Sequence, residues 1–166
     1  MRRMRIKVSA VINAGAEDIY ALLADYREGH PRILPEENFR DVEVEAGGRG
    51  AGTVICYRSV AGRGERRYRM SVTEPEPGRV LVESSTTSTP VTTLTVMPLN
   101  GRKQARVEIA ADIDAYSGLR GLAQRALCPP AIRHIYRKEL RLLAAVMAPT
   151  PDPFRFGLND RSNERS

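Results

Sequence analysis

The feature that most constrains this chain is the order of its local patterns. One alternating apolar run, Met4 to Asn13, precedes a short helical stretch; about six more strand-like runs follow in succession, and a long amphipathic helix spans Ser117 to Ala148. Short connections between successive strands make them antiparallel neighbours. A long terminal helix then has one place to bury its apolar stripe, across the concave face of the sheet. This predicts an α+β domain, with a pocket wherever helix and sheet do not close upon each other.

The individual runs carry that order. Ile6, Val8, Ala10 and Ile12 alternate with Lys7, Ser9 and Val11, the period of a strand with one buried face. Ile19, Leu22 and Leu23 then share one helical face, behind acidic residues in the first turn. Gly29-His30-Pro31 allows a second short helical turn through Ile33 and Leu34, closed by Pro35. Strands follow over 40–46, 53–60, 66–73, 79–85, 91–97 and 106–113, and Asn100-Gly101 is a hairpin turn signal between the last two. In the final helix Leu119, Leu122, Ala123, Ala126 and Leu127 line up before Pro129-Pro130. Ile132, Ile135, Tyr136, Leu142, Leu143 and Val146 form the stripe after them. The two prolines predict a kink or a break. Residues 1–148 make one domain; 149–166, first proline-rich and then polar, make a flexible tail.

Composition removes several function classes. No apolar run approaches the ~20 residues that cross a bilayer, and the basic start lacks the layout of a signal peptide, so the expected home is the cytoplasm. Cys56 and Cys128 have no metal-ligand spacing and are expected reduced. With His30 and His134 the only histidines, neither a metal site nor a cofactor is expected. The net charge of +6 rests on 23 arginines among 26 basic residues. Those charges are dispersed among acidic residues rather than gathered into a tract, so no nucleic acid partner is expected. A glycine-rich turn at 47–52 leads into a strand, which excludes a phosphate loop.

Several stretches resemble the START-like superfamily (SRPBCC proteins), which includes polyketide cyclases, pollen-allergen-like proteins and lipid-transfer domains. They are Ile12-Asn13-Ala14 with Glu17-Asp18-Ile19-Tyr20 and Leu23-Ala24-Asp25-Tyr26, Gly50-Ala51-Gly52-Thr53, Glu74-Pro75-Glu76-Pro77-Gly78, and Ile135-Tyr136-Arg137-Lys138-Glu139-Leu140. The segment His30 to Pro35 is similar to a polyketide cyclase/dehydrase-like bacterial subgroup. The resemblance covers about residues 4–148. It implies a helix-grip fold: a curved seven-stranded antiparallel sheet around the C-terminal helix, with two short helices after the first strand. It carries over no catalytic motif.

The inward faces propose the ligand-binding residues: Ile55, Tyr57, Tyr68, Met70, Val72, Leu94, Val96, Val107, Ile109, Ala111, Ile135 and Glu139. They either pack solid or border a cavity. Three residues are candidates for proton transfer. Tyr68 is a phenol on the inward face. Glu139 beside the helix stripe would be a perturbed acid if it pointed inward; pairing with an arginine at the stripe's edge is the plainer expectation. His30 is a residue type suited to proton transfer, although a loop histidine bonded to solvent or backbone is the plainer reading. His134 is expected at the surface. Arg58, Arg67 and Arg69 should face outward and pair with Glu43 and Glu45. A surface formed by Arg133, Arg137, Lys138 and Arg141 is expected to be solvated. The function that follows is binding, as carrier or sensor, of a small hydrophobic molecule such as a lipid or polyketide-like compound. A cyclase or dehydratase using the same cavity is the alternative, and a protein-interaction module the third. No stable membrane insertion is expected, and the protein is a monomer or a homodimer.

Overall fold

The computed structural model describes residues 2–61, 64–85 and 89–149. Strand β1 (Arg2–Ile12) leads into helix α1 (Ala16–Ala24) and a one-turn 3-10 helix (His30–Ile33). Six strands follow: β2 (Phe39–Ala46), β3 (Val54–Ala61), β4 (Gly64–Glu76), β5 (Val80–Ser85), β6 (Val91–Leu99) and β7 (Gln104–Ala115). Helix α2 (Gly118–Met147) closes the domain. The strands form one antiparallel sheet in the order β1-β7-β6-β5-β4-β3-β2, so β1 returns beside the last strand and α1 carries the chain to the opposite edge. This is the helix-grip arrangement. The expected flexible tail lies, beyond Pro149, outside the described residues.

Alternation sets the register. Ile6, Val8 and Ile12 of β1 are buried, and β6 buries Thr92, Leu94 and Val96. Leu94 pairs with Ile109 and Val96 with Val107 across β6–β7, so one apolar face runs from strand to strand. The four-residue turn between them, 100–103, holds Asn100 at φ 46° and Gly101 at φ 62°, left-handed conformations that asparagine and glycine adopt most readily. Ile19 and Leu23 of α1 and Ile33 of the 3-10 turn insert into the same core. The outward face carries ion pairs. Arg69 Nε lies 2.6 Å from Glu45, as expected, but Arg58 bonds Asp41 and Glu65 rather than Glu43. Such exposed pairs add little to stability, because water and salt screen them.

Helix α2 departs from expectation twice. It runs through Pro129 and Pro130 without a break. The prolines deprive the Arg125 and Ala126 carbonyls of their N–H partners, but both residues are exposed, where water can bond those carbonyls. The apolar residues before the prolines are not in the core either: Leu119 is 85% exposed, Leu122 63% and Leu127 71%. Only the second half is gripped, through Ile135, Tyr136, Leu140 and Leu143. The helix packs on β1, β7 and the 3-10 turn.

Candidate functional site: an internal cavity with an acidic inner end

Where the first half of α2 stands away from the sheet, a cavity of about 700 Å³ remains between the helix and the inward face of β3–β7. That volume suits a drug-sized molecule. Its walls are largely apolar, with Leu34, Phe39, Ile55, Leu94, Ile132 and Ile135 among them. Seven sequence-predicted residues border it: His30, Ile55, Tyr57, Tyr68, Leu94, Ile135 and Glu139. Met70, Val72, Val96, Val107, Ile109 and Ala111 share the inward face but are sealed into the core and do not border the cavity. The inward face is thus divided: part packs solid, and part faces open space.

The open end lies near Tyr116 and Leu127, both well exposed. The Arg66 guanidinium sits there beside the Tyr68 and Tyr116 hydroxyls, which hold its charge more firmly than in water. Arg66 has the same strand parity as Tyr68, so its inward direction was available from the period of two. Tyr57 is buried against Phe39, edge to face at 5.3 Å, and against Tyr68 at 5.7 Å.

At the inner end the polar groups are buried. His30 is placed by a tight chain reversal: the Gly29 and His30 amides both bond the Asp25 carbonyl, at 3.0 and 2.6 Å. A Cβ at Gly29 would stand 2.3 Å from the Leu22 carbonyl oxygen, so only glycine fits this approach. The His30 ring stacks on Tyr26, with centroids 4.5 Å apart. Its Nδ1 donates to the Leu23 carbonyl at 2.7 Å, and its Nε2 lies 3.5 Å from Glu83 Oε1. The Tyr26 hydroxyl donates to that same oxygen at 2.8 Å. His30 therefore has the expected backbone bond, and also a carboxylate that sequence reasoning missed. Glu83 was legible in principle: it falls two residues after the buried Leu81, at an inward position of β5.

Glu139 is inside, not at the stripe's edge. It is 4% exposed, and its Oε1 has no hydrogen-bond partner among the described residues. Burial, and then the nearby Glu83 carboxyl, push its pKa well above the usual carboxyl value. Tyr57 and Tyr136 are pushed up as well, burial being the main cause and the same two carboxyls adding to it. Thr92 hydrogen-bonds the Tyr136 hydroxyl. This end thus holds a carboxyl whose protonated, donating form burial favours, two neutral phenols and the His30–Glu83 pair. His134 is exposed, away from the cavity. Among the described residues no three His, Cys, Asp or Glu side chains gather as a metal site. Within that same set no helix is long and apolar enough to cross a membrane.

Comparison with known proteins agrees with this geometry. The family model described as polyketide cyclase / dehydrase and lipid transport matches residues 3–148. No curated protein matches the sequence. Among solved structures, the KanY protein is 24% identical, with a TM-score of 0.77 over 89% of this chain and 99% of that one. A Thermus thermophilus protein is 19% identical, with a TM-score of 0.69 over 86% and 95%. The Zhui aromatase/cyclase from a Streptomyces species is 13% identical, with a TM-score of 0.69 over 88% and 94%. At these identities the structures attest the fold alone, but the family match spans nearly the whole described domain. With a curved sheet, a gripping helix and a cavity between them, the chain belongs to the polyketide cyclase/dehydrase and lipid transport family.

Proposed function

We propose that this protein binds a small, largely apolar molecule in the cavity between sheet and α2, as a carrier or sensor in the cytoplasm, where its two free thiols stay reduced. The single observation that carries the reading is the cavity itself. A chain with so many leucines and valines could close such a space, and a void that is merely unfilled costs stability. The predicted wall residues Ile55, Tyr57, Tyr68, Leu94 and Ile135 supply apolar contact with two phenols for orientation. Displacement of an apolar fluorescent probe by a panel of fatty acids, sterols, flavonoids and polyketide mimics tests it. Ala131, exposed on the cavity side of α2, provides the control. Ala131→Phe fills the space from the helix side and is expected to weaken every ligand about tenfold or more while changing stability by less than about 1 kcal/mol. Failure of every compound to bind would remove the reading.

The second reading, a cyclase- or dehydratase-type enzyme, is favoured by the buried Glu139 in the same cavity as the His30–Glu83 pair. A protonated Glu139 could give its hydrogen to a ligand oxygen while the His30–Glu83 pair accepts one, and Tyr68 could orient the substrate. Turnover of a polyketide mimic that disappears in Glu139→Gln, His30→Ala or Tyr68→Phe, with binding retained, would select catalysis. Binding that survives all three without any turnover selects the carrier.

A further inference from the structure

The inner end of the cavity holds a carboxyl group that the protein itself does not pair. Glu139 reaches it from α2 and Glu83 from β5. Glu83 Oε1 already receives the Tyr26 hydroxyl and lies beside His30 Nε2. His30 Nδ1 faces a carbonyl, which only accepts, so Nδ1 carries a hydrogen. The approach of Nε2 to Oε1 then requires one more proton, on the nitrogen or on the oxygen. In either arrangement the His30–Glu83 pair is net neutral, and no positive partner is left for Glu139. The remaining groups around it are Tyr57 from β3, Tyr68 from β4, and Tyr136 and Cys128 from α2; none supplies a cation. Arg66 is at the open end. Glu139 Oε1 accordingly remains buried and unpartnered, on the cavity wall.

The chemistry of a head group that fits can be deduced. An anionic head would meet two carboxyl groups. A ketone could take a hydrogen from Glu139 but has nothing to offer Glu83. An ammonium brings several donors together with the missing charge, and charge-assisted bonds are about twice as strong as neutral ones. We propose that the inner end is a cation subsite, in which the ammonium group of a largely apolar amine lies against Glu139 and beside Glu83, its hydrocarbon body along Ile55, Leu94 and Ile135. This rests on the ligand-binding reading and narrows it to one substrate class. The proton balance is simple: Glu139 enters neutral, releases its proton to solvent as the cation arrives, and pairs as the carboxylate.

Naphthylethylamine, naphthylethanol and naphthylacetate share a skeleton and differ in the head, so calorimetry with all three is decisive. The amine is expected to bind at least about tenfold more tightly than the alcohol, with the carboxylate weakest. Titrations in two buffers of different ionisation heat should show about one proton released per amine bound near pH 7, and amine affinity should rise with pH by up to about tenfold per unit. In Glu139→Gln the amine's advantage should fall to about threefold or less and the proton release should vanish. An alcohol or carboxylate that binds wild type as tightly as the amine, or amine binding without proton release, overturns the subsite while leaving the cavity reading in place. If none of the three binds and the wider panel fails too, both fall. Proton release by wild type decides the matter even if the Gln variant does not fold.

Discussion

The sharpest perturbation is Glu139→Leu, because the structure makes it stabilising. The wild-type carboxyl is buried with Oε1 unbonded among the described residues, and a buried polar atom without a partner costs about 1–3 kcal/mol. Leucine has nearly the volume of glutamate and would continue the apolar surface of Ile135 and Leu143, so overpacking should take back less than about 1 kcal/mol. The unliganded variant should therefore be more stable by about 1–3 kcal/mol at pH 7, or about 2–12 °C in melting temperature for a domain of this size. The gain has a pH signature. The folded-state pKa of Glu139 is raised above its ordinary value of 4.5, so the native state holds a proton that the unfolded chain releases. Below pH 4.5 both states are protonated and this penalty is absent; it grows as pH rises through 4.5 and levels off only above the folded-state value. The advantage of leucine should widen over that window. Groups far from Glu139, such as the Asp25 and Glu45 carboxyls that their partners hold below the ordinary range, titrate alike in both proteins and cancel in the difference. Urea denaturation followed by circular dichroism at several pH values measures it. A variant less stable than wild type at pH 7, or a difference that does not change with pH, would refute the account of Glu139 as an unsatisfied buried acid.

Four further substitutions test the supports of the site. Tyr26→Phe keeps the stacked ring but removes the bond to Glu83 in a buried place, and should cost about 1–3 kcal/mol in a chemical denaturation curve. Gly29→Ala should cost about 1–3 kcal/mol and shift the His30 imidazole resonances, because the new methyl would collide with the Leu22 carbonyl; an unshifted histidine would show that the reversal does not place it. The two halves of α2 should answer oppositely to truncation. Leu143→Ala, at 1% exposure, should lose about 2–5 kcal/mol, whereas Leu122→Ala, at 63%, should stay within about 0.5 kcal/mol of wild type.

Strand faces, the neighbour order of β2 to β7 and the gripping helix were legible because each rests on a local period or a short connection; the pairing of β1 with β7 joins distant parts of the chain and had no such signal. The period of two places Leu94 and Ile109 on the same face just as the structure does, side by side in the β6–β7 ladder. It could not tell that Leu94 borders the cavity while Ile109 is sealed in the core, because that depends on where α2 lies, a long-range outcome. The exposed leucines 119, 122 and 127 have the same origin: local spacing marks an apolar face without naming its partner.

Glu139 is different, since its place was written in the helical phase. Tyr136, Leu140 and Leu143 are buried, and a residue three after the first and four before the last cannot leave their face without unwinding the turn. Charge suggested an edge position; geometry forces the interior. Glu83 follows the same rule on β5, where the register that buries Leu81 also turns the carboxyl inward. Two carboxyl groups are thus carried into one enclosed space by elements that meet only in the folded domain; Tyr26 and His30 hold Glu83, whereas Glu139 Oε1 has no partner among the described residues. Folding by itself has no use for the unpartnered Glu139, and the apolar side chains on either side show what it would have favoured. A cationic group lodged in the cavity, as proposed above, would give Glu139 the partner it lacks, so ligand chemistry is better sought at this inner end than along the apolar walls.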